Sequence, residues 1–209
     1  MFKMRASSLG KVMADPRTKS DVLSVGAKTY IVQQAKEFVY GFHKEISGKP
    51  LEKGNRVEDA SIELYNSVMF TNYKKNTERK SNDWLSGECD IDTGDKIIDI
   101  KSSWSLDTFP CLSEDGINKD YEWQGRAYMM LWGRDHFENA YCMVNTPDEL
   151  IGYEQESIHF VDDITESLRV TITAYERDKL LEEKICERIK ECQKYFDLVV
   201  DRISTEHNF

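Results

Sequence analysis

The chain has 209 residues, a formal net charge of −10, 40% hydrophobic and 32% charged residues, which is ordinary for a soluble globular chain of one domain, or one domain with a helical tail. No apolar run reaches the ~18 residues of a membrane span, and the opening Met-Phe-Lys-Met-Arg-Ala-Ser-Ser has no apolar signal core, so a cytoplasmic protein is expected. Cysteines 89, 111, 142, 186 and 192 form no C-x-x-C and histidines 43, 136, 159 and 207 no H-x-x-x-H. That excludes zinc ribbons, disulfide scaffolds and zinc hydrolases, and predicts reduced, buried thiols.

Residues 5–14 read as a short helix capped by Ser7 or Ser8, followed by a polar loop from Asp15 to Asp21. Residues 25–42 read as a helix stopping near Gly41, and Ser47-Gly48-Lys49-Pro50 as a turn. Gly54 to Met69 reads as an amphipathic helix with Val57, Ala60, Ile62, Leu64, Tyr65 and Val68 on its apolar arc. Glu58 breaks that arc. An inward carboxylate is usually paired or bound to a metal, and the blander reading is an arc-edge glutamate that snorkels to water. Residues 67–79 hold one or two short edge strands.

The run Ser86-Gly-Glu-Cys-Asp90-Ile-Asp-Thr-Gly-Asp-Lys-Ile-Ile-Asp99-Ile-Lys101 reads as a β-hairpin. Gly94-Asp95 suits its two-residue loop because glycine supplies positive φ. That loop sets Asp90 opposite Asp99, and alternation puts Asp99 and Lys101 on one face and Ile98 and Ile100 on the other. Opposed carboxylates on adjacent strands lie about 4.5–5.5 Å apart and repel unless neutralised. A divalent cation does that, and a lysine beside it suits phosphodiester hydrolysis. A lone D-x-K is more often an exposed hairpin with a solvated acidic face.

Ser102 to Lys119 reads as a mobile loop over the site mouth, whose Trp104 and Phe109 either stack on bases or pack onto the domain. Residues 121–132 read as a helix with Tyr121, Gln124, Tyr128 and Leu131 on one face; Gln124 could bond a phosphate, a metal-bound water or simply backbone. Strands are predicted at 138–145 and 167–173, with weak alternation at 149–160. A long helix from about 177 to 203 carries a buried stripe from Leu181 to Ile203, read as core ahead of subunit interface.

The order of these pieces resembles the PD-(D/E)xK nuclease superfamily, and within it the phage recombination exonucleases of the lambda-exonuclease or YqaJ type. Arg5-Ala-Ser7-Ser-Leu-Gly-Lys-Val-Met13 resembles that family's amino-terminal T-A-S-x-hydrophobic segment, and Gly54-Asn-Arg-Val-Glu58-Asp-Ala60 its G-x-x-x-E-x-x-A helix. The recognisable motifs cover residues 1–132. The resemblance implies an α/β, restriction-endonuclease-like core with a central mixed sheet flanked by helices and a long C-terminal helix.

The resemblance further implies a Mg2+-dependent deoxyribonuclease, with Mn2+ able to substitute, acting 5′→3′ on double-stranded DNA ends. Asp90, Asp99, the Ile100 carbonyl and Glu58 would hold two ions about 3.5–4 Å apart, an all-oxygen set that suits Mg2+. Lys101 would position water or stabilise the transition state. Gln124 and Tyr121 would contact the site and the DNA end, with Arg5 and Ser7 near the terminal 5′-phosphate. The implied partners are a single-strand annealing protein and further copies of the chain in a ring, often a trimer. Two departures stand out: Glu88 sits where the family places a phosphate-contacting serine, and Asp99 where many members carry Glu. The net charge counts against generic duplex binding and for a local basic channel. Arg5, Lys11, Arg17, Lys19, Lys28 and Lys36 are candidates for it, with Lys74, Lys75, Arg79 and Lys80 contributing. An endonuclease on the same fold and a silent DNA-binding module are the alternatives.

Overall fold

The structure, a computed structural model, describes residues 2–207. In chain order the elements are β1 (Met4–Arg5), α1 (Gly10–Met13), α2 (Val25–Tyr40), α3 (Lys49–Met69), β2 (Lys80–Ser81), β3 (Leu85–Gly87), β4 (Ile91–Asp92), β5 (Lys96–Ser102), α4 (Lys119–Trp132), β6 (His136–Cys142), α5 (Asp148–Ile151), β7 (Val170–Glu176) and α6 (Lys179–His207). A mixed sheet runs β4-β5-β6-β7, with only β5 and β6 parallel, joined by the crossover helix α4. A small second sheet runs β1-β3-β2. The mixed sheet flanked by helices, with a long C-terminal helix, is the expected architecture.

Alternation along β5 builds both cores. Ile97 faces α4, α2 and α6 together with Met4, Leu9, Ile31, Tyr128, Phe137, Ile189 and Phe196. Ile98 and Ile100 face α3 through Ile62, Leu64 and Tyr65. A parallel pair covered on both faces favours a continuous apolar strand, and Asp99 interrupts that run while only 2% exposed. On α4, Gly125 lies directly against the Phe137 ring; a Cβ there would overlap it, so this helix sits tightly on β6.

Local chemistry accounts for the helix ends. Ser24 Oγ accepts the Ala27 N–H at 3.2 Å to start α2, and Gly41 ends it at φ +65°. Asn118 Oδ1 accepts from Asp120 and Tyr121 N–H at 2.9 and 3.2 Å to start α4. Helix α3 begins at Lys49 rather than Gly54, because Pro50 lies in its first turn, where a missing N–H costs nothing.

Several sequence readings are corrected. Residues 5–14 are a strand end, a 3-10 turn and the four-residue α1 rather than one helix. Residues 67–79 hold no strand: α3 runs to Met69, and Asn66 binds the chain that follows, its Oδ1 accepting the Tyr73 N–H at 2.9 Å and its Nδ2 donating to the Tyr73 carbonyl at 3.0 Å. The segment 149–160 is helical where it is regular, as the end of α5 and a 3-10 turn. Cys111 is exposed, unlike Cys89, Cys142 and Cys192. Among the described residues no helix is long and apolar enough to cross a membrane.

Candidate active site

The hairpin register is as expected. Gly94 takes φ +94° at the tip, Ile91 pairs with Ile98 and Asp92 with Ile97, so Asp90 stands opposite Asp99. The first arm is not one strand, however. Residues 85–87 belong to the small sheet and 91–92 to the large one, and the chain changes sheets at Glu88-Cys89-Asp90. The β4 edge therefore ends short of Asp90. The Asp90 carboxylate takes the place of the next ladder bond, accepting the Ile100 N–H on Oδ2 at 2.6 Å. The Ile100 side chain packs toward α3, so Ile100 reaches the cleft through its backbone.

Asp90, Asp99, Ile100, Lys101, Glu58, Tyr121, Gln124 and Ser7 all line one cavity of about 540 Å3 at this end of the sheet. Lys101 ion-pairs with Asp99. It also donates to Gln124 Oε1 at 3.4 Å and lies 4.3 Å from the centre of the Tyr121 ring. Gln124, 8% exposed, fixes its own amide by donating from Nε2 to Tyr128 Oη at 2.9 Å. The glutamine thus orients the lysine, and a tyrosine orients the glutamine.

The electrostatics are unbalanced. Burial, then the facing Asp99 carboxylate, pushes the Asp90 carboxyl well above the usual range, against the pull of the Ile100 N–H and Lys101. Burial alone would lower Lys101, but Asp99, then Asp90, hold it above the ordinary lysine value. Asp99 Oδ2 is buried and paired with the Lys101 ammonium, and no other side chain or backbone N–H among the described residues reaches it. Two acids share one lysine, and their free oxygens and the neighbouring Ile100 backbone make an all-oxygen donor set that fits a hard divalent ion.

Glu58 is at the rim of this cavity, bonded to Lys75 Nζ at 2.7 Å. Among the described residues no three acid, histidine or cysteine side chains converge as they would around an ion, and Glu58 is paired with Lys75 instead. Two residues stand outside the cavity. Trp104 donates to Glu154 at 2.9 Å and packs edge-on against His159, the packing alternative for that side chain. Arg5 does not line the cavity, and its charge acts on Glu37 of α2. Glu88 also points away, 3.9 Å from Arg79. The 102–119 loop does not cross the mouth; beyond Ser102 none of it lines the cavity, and Tyr141 pins it by donating to the Gly116 carbonyl at 2.7 Å.

Sequence reasoning missed Lys53. Fully buried, its ammonium donates to the carbonyls of Ser103, Trp104 and Val144 at 2.7, 3.0 and 2.9 Å. It locks α3, and hence Glu58, to the ends of β5 and β6, and Ser61 adds a hydroxyl contact to Ser102 at 2.8 Å. Burial lowers the Lys53 pKa to about 8. The available signal was spacing: Lys53, Val57 and Ser61 lie on one helix stripe.

Over 97% of this chain and 97% of its own, a phage-related exonuclease from Haemophilus somnus 129PT superposes with a TM-score of 0.91 at 32% identity. The chain belongs to the phage-related exonucleases. They are PD-(D/E)xK nucleases of the lambda-exonuclease and YqaJ type. The alkaline exonuclease LHK-Exo of Laribacter hongkongensis shares the fold at 15% identity, with a TM-score of 0.68 over 99% of this chain and 93% of its own. Its complex with dAMP gives 0.69 at 17%, over the same shares. No protein-family profile and no curated protein matches the chain.

Proposed function

We propose that this exonuclease is a Mg2+-dependent 5′→3′ exodeoxyribonuclease, with Mn2+ able to substitute, that digests one strand of a duplex end and leaves a 3′ single strand for recombination. One observation carries the reading: two opposed carboxylates, the strand residue Ile100 between them and a lysine, and a glutamine held by a tyrosine meet in a single cavity. Asp90, Asp99 and the Ile100 carbonyl would hold the ion, with Glu58 joining on release from Lys75. A bound divalent ion supplies Lewis-acid polarisation of the phosphate and charge neutralisation.

The protein's own residues do the rest. Lys101, kept charged by the two acids, faces developing negative charge on the phosphate, and oriented donors of this kind are worth about 10²–10³ in rate. Gln124 fixes where the ammonium points. Tyr121 walls the cavity beside it and Ser7 contacts the terminal phosphate, while Arg5, outside the cavity, would have to turn toward it to join. Polarity, the annealing-protein partner and a ring of copies rest on the family resemblance; light scattering of the purified chain tests the last.

The deciding experiment offers Mg2+ and three duplexes: linear with a 5′-phosphate, linear without, and closed circular. Digestion of both linear forms to mononucleotides, faster with the phosphate, is expected. Rapid nicking of the circle would replace the exonuclease by an endonuclease.

A further inference from the structure

A second concave surface lies beyond the cleft. It encloses about 890 Å3 against α2 and is lined by Lys11, Lys28, Lys36 and Lys44, with Tyr30 and Gln33 between them. No carboxylate lines it, in a chain whose net charge is −10. Two acids on or beside α2 are engaged: Asp21 bonds Lys28 at 3.1 Å, and Glu37 accepts from Gln33 at 3.3 Å and lies 2.8 Å from His43. With Lys28 paired to Asp21, Lys11, Lys36 and Lys44 have no ion-pair partner among the described residues, and in an acidic protein such a group is a directed field rather than a solvated average.

The surface is joined to the cleft. Ser7 lines the cleft and Lys11 lines the concavity, four residues on, and α1 packs against both α4 and α2. Lys28 and Lys36 are eight residues apart on a rigid helix, about 12 Å along its axis. Duplex DNA carries one charge per about 1.7 Å of its axis, so the pair spans several phosphates.

We infer that this lysine concavity is a phosphate-backbone track for the duplex arm of the substrate. It rests on the reading of the cleft as a DNA-cleaving site. The aromatic content decides between strand types. Single-strand grooves combine cations with free aromatic faces for base stacking. Here Tyr30 and Tyr195 pack against the core, and Lys11 already covers the Tyr30 ring at 5.2 Å. A surface that offers charge without a stacking face reads the backbone of a helix whose bases are covered.

The test measures binding of a blunt duplex in EDTA, where cleavage is silent, across a salt series. Each phosphate contact contributes about 0.9 to the slope of log K against log salt. Replacing all four lysines by Gln should reduce that slope by roughly 3–4, and Lys36→Gln alone by about 0.9. The fourfold Arg variant should keep it. Mg2+-dependent turnover of bis(p-nitrophenyl) phosphate, too small to reach the concavity, should be unchanged in every variant. An unchanged slope in both the single and fourfold Gln variants overturns the track. A slope loss larger on single-stranded than on duplex DNA overturns the duplex assignment. Absence of turnover in the unsubstituted protein would instead strike the cleavage reading, and the salt slopes would still decide the track.

Discussion

Lys53, fully buried, and Lys101, half-buried, lie near the C-terminal end of β5, and their surroundings move them in opposite directions. Lys53 meets three carbonyls and no acid, and burial brings its pKa down to about 8. Lys101 also loses solvent in the cleft, but two carboxylates beside it hold its pKa above the ordinary value. The first region is matched by dipoles and holds the scaffold still. The second keeps a surplus of negative charge that the fold does not neutralise. Buried charge that is fully satisfied is architecture; buried charge left unbalanced is chemistry.

Substituting each lysine separates the two regions. Lys101→Ala should lower turnover on linear duplex by at least about 10²-fold while the chemical midpoint stays near that of the unsubstituted protein. Near-normal turnover in a folded variant would remove Lys101 from the mechanism.

Lys53→Met should do the reverse, costing about 2–4 kcal/mol in urea unfolding because three carbonyls lose their donor. Its pH dependence sharpens the point. Between about 8 and the ordinary 10.5 the unfolded chain holds the lysine proton and the folded chain does not. Stability therefore rises with pH across that window, and only in the protein that keeps Lys53. Parallel pH–stability curves for the two proteins would contradict the assignment.

A smaller effect is expected at Asp90. Its raised pKa means that its contribution to stability is present at low pH and is lost as pH rises through the folded value. In EDTA, above that value, Asp90→Asn should be as stable as the unsubstituted protein or up to about 1 kcal/mol more so. It should bind Mg2+ more weakly by calorimetry. A clear loss of metal-free stability would make Asp90 a structural partner of the Ile100 N–H instead.

The smallest change is Tyr121→Leu. Removing the ring from Lys101 should alter turnover by the equivalent of about 0.5–1 kcal/mol, several-fold at most. A loss as large as that of Lys101→Ala would promote Tyr121 from wall to reacting group.

The acid pair was legible because register follows from a loop of known length: once Gly94-Asp95 closes the turn, the positions of Asp90, Asp99 and Lys101 are geometry. The Y-x-x-Q face was legible for the same reason on a helix. Lys53 was not, since a lysine on a stripe with Val57 and Ser61 also suits a snorkelling surface residue, and its three acceptors come from segments 50 to 91 residues away. Trp104 was ambiguous because loop aromatics pack or stack with equal ease, and Glu154 and His159 lie far along the chain. The break at Glu88-Cys89-Asp90 was hidden because alternation continues across it while the partner strands change. The start of α3 was misread because Pro50 marks a turn and a helix beginning alike.

That break, where the chain leaves one sheet for the other, also sets how the sequence can vary in length. At the hairpin tip, Gly94 has nothing within 4 Å of where a Cβ would be. Two residues inserted there would lengthen the loop and leave both acids in register. A single residue removed between Gly87 and Ile91 would have no loop to absorb it. It would draw Asp90 out of reach of the Ile100 N–H or pull β3 off β1, whose pairing with Leu85 and Ser86 carries the segment leading to Ser7. Length is thus free at one end of the hairpin and fixed at the other.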